Sequence, residues 1–125
     1  MIAVDTSSLV AFFNGQSGSD VDLVGRAWSD KQVILPPVVL SELLSQPRLP
    51  DDFVSDLLQI PLLEITDGYW GRAGLNRAKL LTRGLKARLA DSLIAQSCMD
   101  HQTVLITRDG DFAKFKKYCG LLLGP

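Results

Sequence analysis

The chain has 125 residues, 46% of them hydrophobic, and a formal net charge of −1. That length suits one domain spanning 1–125, able to bury roughly two-thirds of the surface it exposes when unfolded. The charge balance excludes a simple polycationic nucleic-acid binder, and no apolar stretch reaches the ~20 residues of a membrane span.

Ile2–Val4 reads as a short buried strand and Thr6–Phe13 as a helix. Asp20–Asp30 predicts a second helix with Val21, Val24, Ala27 and Trp28 on its apolar stripe. Gln32–Leu35 is a strand. Pro36-Pro37 ends it and suits the first turn of a helix over Val38–Ser45. Pro47 and Pro50 bracket a turn before a helix over Asp51–Ile60, capped by Asp51 or Asp52. Leu62–Thr66 reads as a strand. Asp67 opens a long helix ended by Gly84; Tyr69 and Trp70 at its start suit core anchors more than faces for stacking on bases. Leu89–Asp100 is another helix. Thr103–Thr107 is rich in β-branched residues and reads as a strand. A basic segment with Lys114, Lys116 and Lys117 follows, and Leu121–Leu123 is a last strand.

Alternating strands and helices predict an α/β fold with a mainly parallel sheet. Ligands of such sheets sit at the carboxyl ends of the strands, near the topological switch point. Asp5 ends the first strand, and Asp109 lies just past Thr103–Thr107. If those strands are parallel neighbours, both carboxylates face one crevice. Two more acids interrupt apolar helices: Glu42 in VVLSELL and Asp91 in RLADSLIAQ. Each acid has an ordinary reading as well. Asp5 and Asp91 suit helix caps, Glu42 an exposed stripe, and Asp109-Gly110-Asp111 a turn. One cause accounts for all four placements. Carboxylates sharing a pocket repel unless a cation neutralises them. Hard oxygen donors point to Mg²⁺ or Mn²⁺. Cys98 and Cys119 are not closely spaced and His101 is the only histidine, which argues against structural zinc.

Four segments carry a resemblance along nearly the whole chain: VDTSSLVAFF (4–13), LPPVVLSELL (35–44), ARLADSLIAQ (87–96) and LITRDGDF (105–112). In this order they resemble the PIN domain, and within it the VapC-type toxins of toxin–antitoxin pairs. The resemblance implies a three-layer α/β/α sandwich and a Mg²⁺- or Mn²⁺-dependent endoribonuclease, in which metal-activated water hydrolyses RNA. It makes Asp5, Glu42, Asp91 and Asp109 the catalytic and metal-holding acids, with Asp111 sharing the metal role or capping the next helix. Thr6, Ser7 and Thr107 sit where hydroxyls orient those carboxylates. Lys86 and Arg88, just upstream of Asp91, are candidates to hold the RNA backbone. They belong to a run from Tyr69 to Ala90 with six cations and no acid. The resemblance also implies a cognate antitoxin whose Arg fork suits paired carboxylates, and a homodimer. Residues 1–15 show no secretory-signal pattern, so a cytoplasmic location with no membrane is expected.

Two other readings compete. One is a non-catalytic PIN-like module that binds RNA or a partner. The other is a different Mg²⁺ enzyme on a similar sheet. An aspartyl-phosphate phosphatase would want a second Asp where Ser7 stands. A receiver domain would want a lysine where Arg108-Asp109 follows the late strand.

Overall fold

A computed structural model describes residues 1–125. Three short strands, β1 (Ile2–Val4), β2 (Val33–Ile34) and β3 (Leu105–Ile106), form a wholly parallel sheet in the order β2-β1-β3. Ala3 stands opposite both Ile34 and Leu105, and Val4 opposite Ile106. Single parallel bridges widen the sheet, Leu62 beside Leu35 and Leu123 beside Leu105. The helices are α1 (Thr6–Phe13), α2 (Ser19–Ser29), α3 (Pro37–Leu44), α4 (Asp51–Leu58), α5 (Tyr69–Thr82), α6 (Leu89–Asp100) and α7 (Ala113–Cys119).

The chain steps outward from β1 to β2 to Leu62. It then crosses back to β3 and steps outward again to Leu123. Parallel crossovers are almost always right-handed, so this reversal puts the later helices on the opposite face of the sheet. Packing agrees for most helices: α1 lies against α2, and α5 against α6 and α7, while α3 meets both α1 and α6. The result is the expected three-layer α/β/α sandwich. Its switch point is at β1 and β3, where Asp5 and Asp109 emerge. The core joins strand residues Ala3, Val4, Leu105 and Ile106 to helix residues such as Leu9, Val39, Ile94 and Phe115.

Several local expectations are corrected. Leu62–Thr66 and Leu121–Leu123 join the sheet through one bridge each rather than as full strands. Glu64 and Ile65 are exposed, so little apolar burial holds that edge in register. Pro50, not an Asp, occupies the N-cap position of α4. Asp51 and Asp52 lie in its first turn, where negative charge meets the positive end of the helix dipole. Gly68 rather than Asp67 precedes α5, whereas Gly84, with φ 77°, lies just past its end as expected. The two aromatics of α5 part company. Tyr69 is buried and donates its hydroxyl to the Leu93 carbonyl at 2.7 Å, but Trp70 is 66% exposed. Of the α2 stripe only Val24 is fully buried, and Trp28 is half-buried against Phe12 and Phe13.

Candidate active site

Register builds the site first. Because Val4 pairs with Ile106, the next residues on the two strands, Asp5 and Thr107, come level at the carboxyl edge. The Asp5 N–H donates to the Ile106 carbonyl at 2.9 Å, which locks that level. Asp5 occupies the N-cap position of α1, yet its side chain does not cap the helix. Ser7 Oγ and Thr107 Oγ1 each donate to Asp5 Oδ2 at 2.9 Å instead. Asp5 is only 5% exposed, and its Oδ1 accepts no hydrogen bond from the protein. Burying a carboxylate is costly, and two hydroxyl donors on one oxygen offset part of that cost while fixing its direction.

The same hydroxyls template the acidic loop after β3. Thr107 Oγ1 accepts from the Asp109 N–H at 3.0 Å, and Ser7 Oγ accepts from the Arg108 N–H at 3.3 Å. Asp109 Oδ1 then accepts from the Asp111 N–H at 2.9 Å and caps the 3₁₀ turn Gly110–Phe112.

Helix α6 brings the next acid. Its N-cap position is held by Arg88, so Asp91 is not the cap but lies in the first turn. Carboxylate oxygens of Asp91, Asp109 and Asp111 all lie within 4.8 Å of one another. Neither ion pair of the chain involves any of them. The Asp91 carboxyl is pushed up to about 6. Burial is the largest cause, followed by the charges of Asp109 and Asp5, with Arg88 opposing and Asp111 adding.

The remaining predicted residues take different places. Glu42 is exposed on α3, outside the three-acid group, and its Oε1 accepts from Thr6 Oγ1 at 2.8 Å. Thr6 adjoins Asp5, so Glu42 stands at the rim beside the strand end. Lys86 and Arg88 are exposed. Arg77 donates to the Ala87 carboxyl-side backbone oxygen at 2.7 Å and so fixes the segment between them.

Arg108 and Asp20 were not legible as part of this region. Arg108 adjoins Asp109, but its side chain turns away from the acids. It forks Asp20 with Nε at 2.8 Å and Nη2 at 2.9 Å, and also donates to Gln16 Oε1 at 2.8 Å and the Ser17 carbonyl at 3.1 Å. Ser8 Oγ adds a 2.7 Å bond to Asp20. Gly18 closes over the pair with φ +148°; a Cβ there would stand 2.5 Å from Asp20 Oδ1. Arg108 holds the Asp20 carboxyl well below the ordinary range, with burial opposing. The only local sign was an acid at the start of α2 and an arginine between strand and loop. Nothing local relates positions 88 apart.

The donor set fits a hard divalent cation: three clustered carboxylates, all oxygen, with Asp5 outside that group at the adjoining strand end. It does not suit a soft one. Cys98 is buried with its thiol pushed up to about 12 by burial, and His101 Nε2 sits 2.8 Å from the Glu64 carbonyl oxygen. A cleft of about 520 Å³ walled by Trp28, Val33 and Ile60 includes none of these acids.

Similarity to known proteins bears on the same region. The PIN domain family model matches residues 2–118. No curated protein matches the chain. Among solved structures, VapBC2 from Rickettsia felis bound to a DNA fragment from its promoter is similar in fold. The TM-score is 0.73 at 19% identity, covering 99% of this chain and 98% of that one. VapBC-5 from Mycobacterium tuberculosis, a member of the VapBC family of toxin–antitoxin systems, gives a TM-score of 0.65 at 19% identity over 98% and 95%. The strand order, the acids at the switch point and the family match over 2–118 agree, and the chain belongs to the PIN domain family.

Proposed function

We propose that this chain is a Mg²⁺- or Mn²⁺-dependent endoribonuclease and the VapC-type toxin of a toxin–antitoxin pair. The observation that carries this reading is the uncompensated cluster of Asp91, Asp109 and Asp111 beside the hydroxyl-oriented Asp5. Acids held together without a cation are expensive, so the arrangement suits a site completed by one. The likeness in fold to two VapBC structures supports the toxin assignment.

In this reading Asp5, Asp91 and Asp109 hold the ion, with Asp111 sharing that role and Glu42 contributing from the rim. Ser7 and Thr107 hold Asp5 Oδ2 and leave Oδ1 without a protein donor, and Thr6 steadies Glu42. Lys86 and Arg88 hold the RNA backbone. A bound divalent ion makes water more acidic and offsets charge on the scissile phosphodiester. No side-chain nucleophile takes part, and His101 has no catalytic role. The antitoxin covers the acids with a basic side chain, an Arg fork being the best geometric match to paired carboxylates. The toxin acts in the cytoplasm as a homodimer.

Cleavage of a mixed RNA panel with Mn²⁺, with Mg²⁺ and with EDTA tests this, run beside Asp91→Asn. Metal-dependent cutting that is lost in the variant is expected. Cutting that persists in EDTA or in Asp91→Asn would overturn the assignment. Intact RNA throughout, with Mn²⁺ bound, would favour a non-catalytic RNA- or partner-binding module.

A further inference from the structure

The cations of this chain are not spread evenly. Residues 69–90 carry six and no acid, and residues 112–125 carry Lys114, Lys116 and Lys117 and no acid. The fold brings these two runs together, because α5 packs on α7. At that seam the Arg83 guanidinium lies 4.3 Å from the centre of the Tyr118 ring, and Lys117 Nζ lies 5.2 Å from it. Lys79 lies on α5 four residues before Arg83, one turn along the same helix face. Lys79, Arg83 and Lys117 are all exposed, and none has an acidic partner. The chain's two ion pairs use other arginines, Arg72 and Arg108.

Converging cations with no counter-charge repel one another, and a ring face offsets only part of that repulsion. A polyanion relieves it and releases counterions as it binds. The seam is also well placed. The loop bearing Asp109 and Asp111 runs directly into α7, along which Tyr118 lies roughly 7.5 Å from the helix start.

We propose that the α5–α7 seam, with Lys79, Arg83 and Lys117 around Tyr118, binds the phosphate backbone of single-stranded RNA leading to the acidic centre. This rests on the ribonuclease reading and extends it from the acids and Lys86 and Arg88 to a second surface. The seam supplies affinity that is salt-dependent and insensitive to base sequence, since it meets phosphate rather than base edges.

The test uses full-length Asp91→Asn protein, which leaves RNA intact, and a labelled unstructured RNA followed by fluorescence anisotropy over a salt series. Adding Arg83→Gln and Lys117→Gln should weaken binding at least about tenfold near 50 mM salt and make the log–log salt slope shallower by about 1.4, the loss of two single-strand phosphate contacts. Arg26→Gln with Lys31→Gln removes the same charge from the α2 side and should leave both values near those of the parent. Unchanged melting temperature and unchanged Mn²⁺ binding in the seam variant, on the otherwise native chain, would show an intact fold and centre. Equal affinity and slope in parent and seam variant would overturn the seam alone, provided the native chain cuts RNA. Equal losses in the seam and α2 variants would also overturn it, leaving only net charge. A parent that binds no RNA would overturn both the seam and the ribonuclease reading.

Discussion

Asp20 and Asp91 are the same side chain in opposite circumstances. Asp20 is forked by Arg108, bonded by Ser8 and held well below the ordinary carboxylate range. Asp91 is partly buried, crowded by Asp109 and Asp5, and pushed up to about 6. The contrast is instructive because the arginine that serves Asp20 is the immediate neighbour of Asp109. A cation was available at the acidic loop, and the fold aims it away. The same pattern recurs at Asp100, which is forked by Arg72, bonded by Gln96 and lowered. Acids that serve the fold are paired, and the acids at the strand ends are left open.

Removing the unpaired acid should have the largest effect. Asp91→Asn is expected to lower metal-dependent RNA cleavage by at least about a hundredfold, the scale of losing one electrostatic group from an active site. It should also raise the melting temperature of the metal-free protein, since it removes repulsion. Cleavage and thermal melting of the same preparation read both.

Breaking the paired acid should do the reverse. Asp20→Asn leaves Arg108 without its counter-charge and should lower the midpoint of a urea titration. Arg108→Lys keeps the charge but loses the fork, and should cost less. Both should also weaken Mn²⁺ binding, because the clamp anchors the residue between Thr107 and Asp109. Mn²⁺ affinity equal to the native value in a folded Asp20→Asn protein would separate the clamp from the site.

Thr107→Val tests the hydroxyl frame. It deletes the donor to Asp5 and the acceptor for the Asp109 N–H. Mn²⁺ affinity should fall about tenfold, with a stability loss of about 1 kcal/mol. Thr107→Ser should restore most of both.

The smallest effect is a pH dependence. Asp91 binds a proton more readily when folded than at its ordinary value of 3.8. Between about pH 4 and 6 the folded chain therefore holds more proton, and stability falls as pH rises through that window. Asp20 and Asp100 act oppositely. Their contribution is present above the ordinary carboxylate value and is lost as pH falls toward their depressed values. The metal-free protein should thus melt highest between those two declines. Saturating Mn²⁺ should flatten the decline toward pH 7, and thermal melting across pH with and without Mn²⁺ reads this.

Much of this organisation was legible in the sequence. Helices α1 and α6 and strand β1 fall where periodicity and β-branching put them. That β1 and β3, the strands ending at Asp5 and just before Asp109, are parallel neighbours could be anticipated from the alternation of elements. Two kinds of feature were not legible. The edge segments at Leu62 and Leu123 have strand-like composition, but a single neighbour and exposed residues leave little to hold a ladder. The clamp of Arg108 on Asp20 depends on which way one side chain turns, and no local pattern encodes that. Trp70 shows the same limit, since its neighbour Tyr69 took the buried side of α5.

Isothermal titration of Mn²⁺ into native and Asp91→Asn protein at pH 7 tests the central claim most directly. Saturable binding by the native chain is expected, weakened at least about tenfold by the substitution if Asp91 coordinates the ion. Equal binding by both proteins, or none by the native chain, would contradict a metal centre built on these acids.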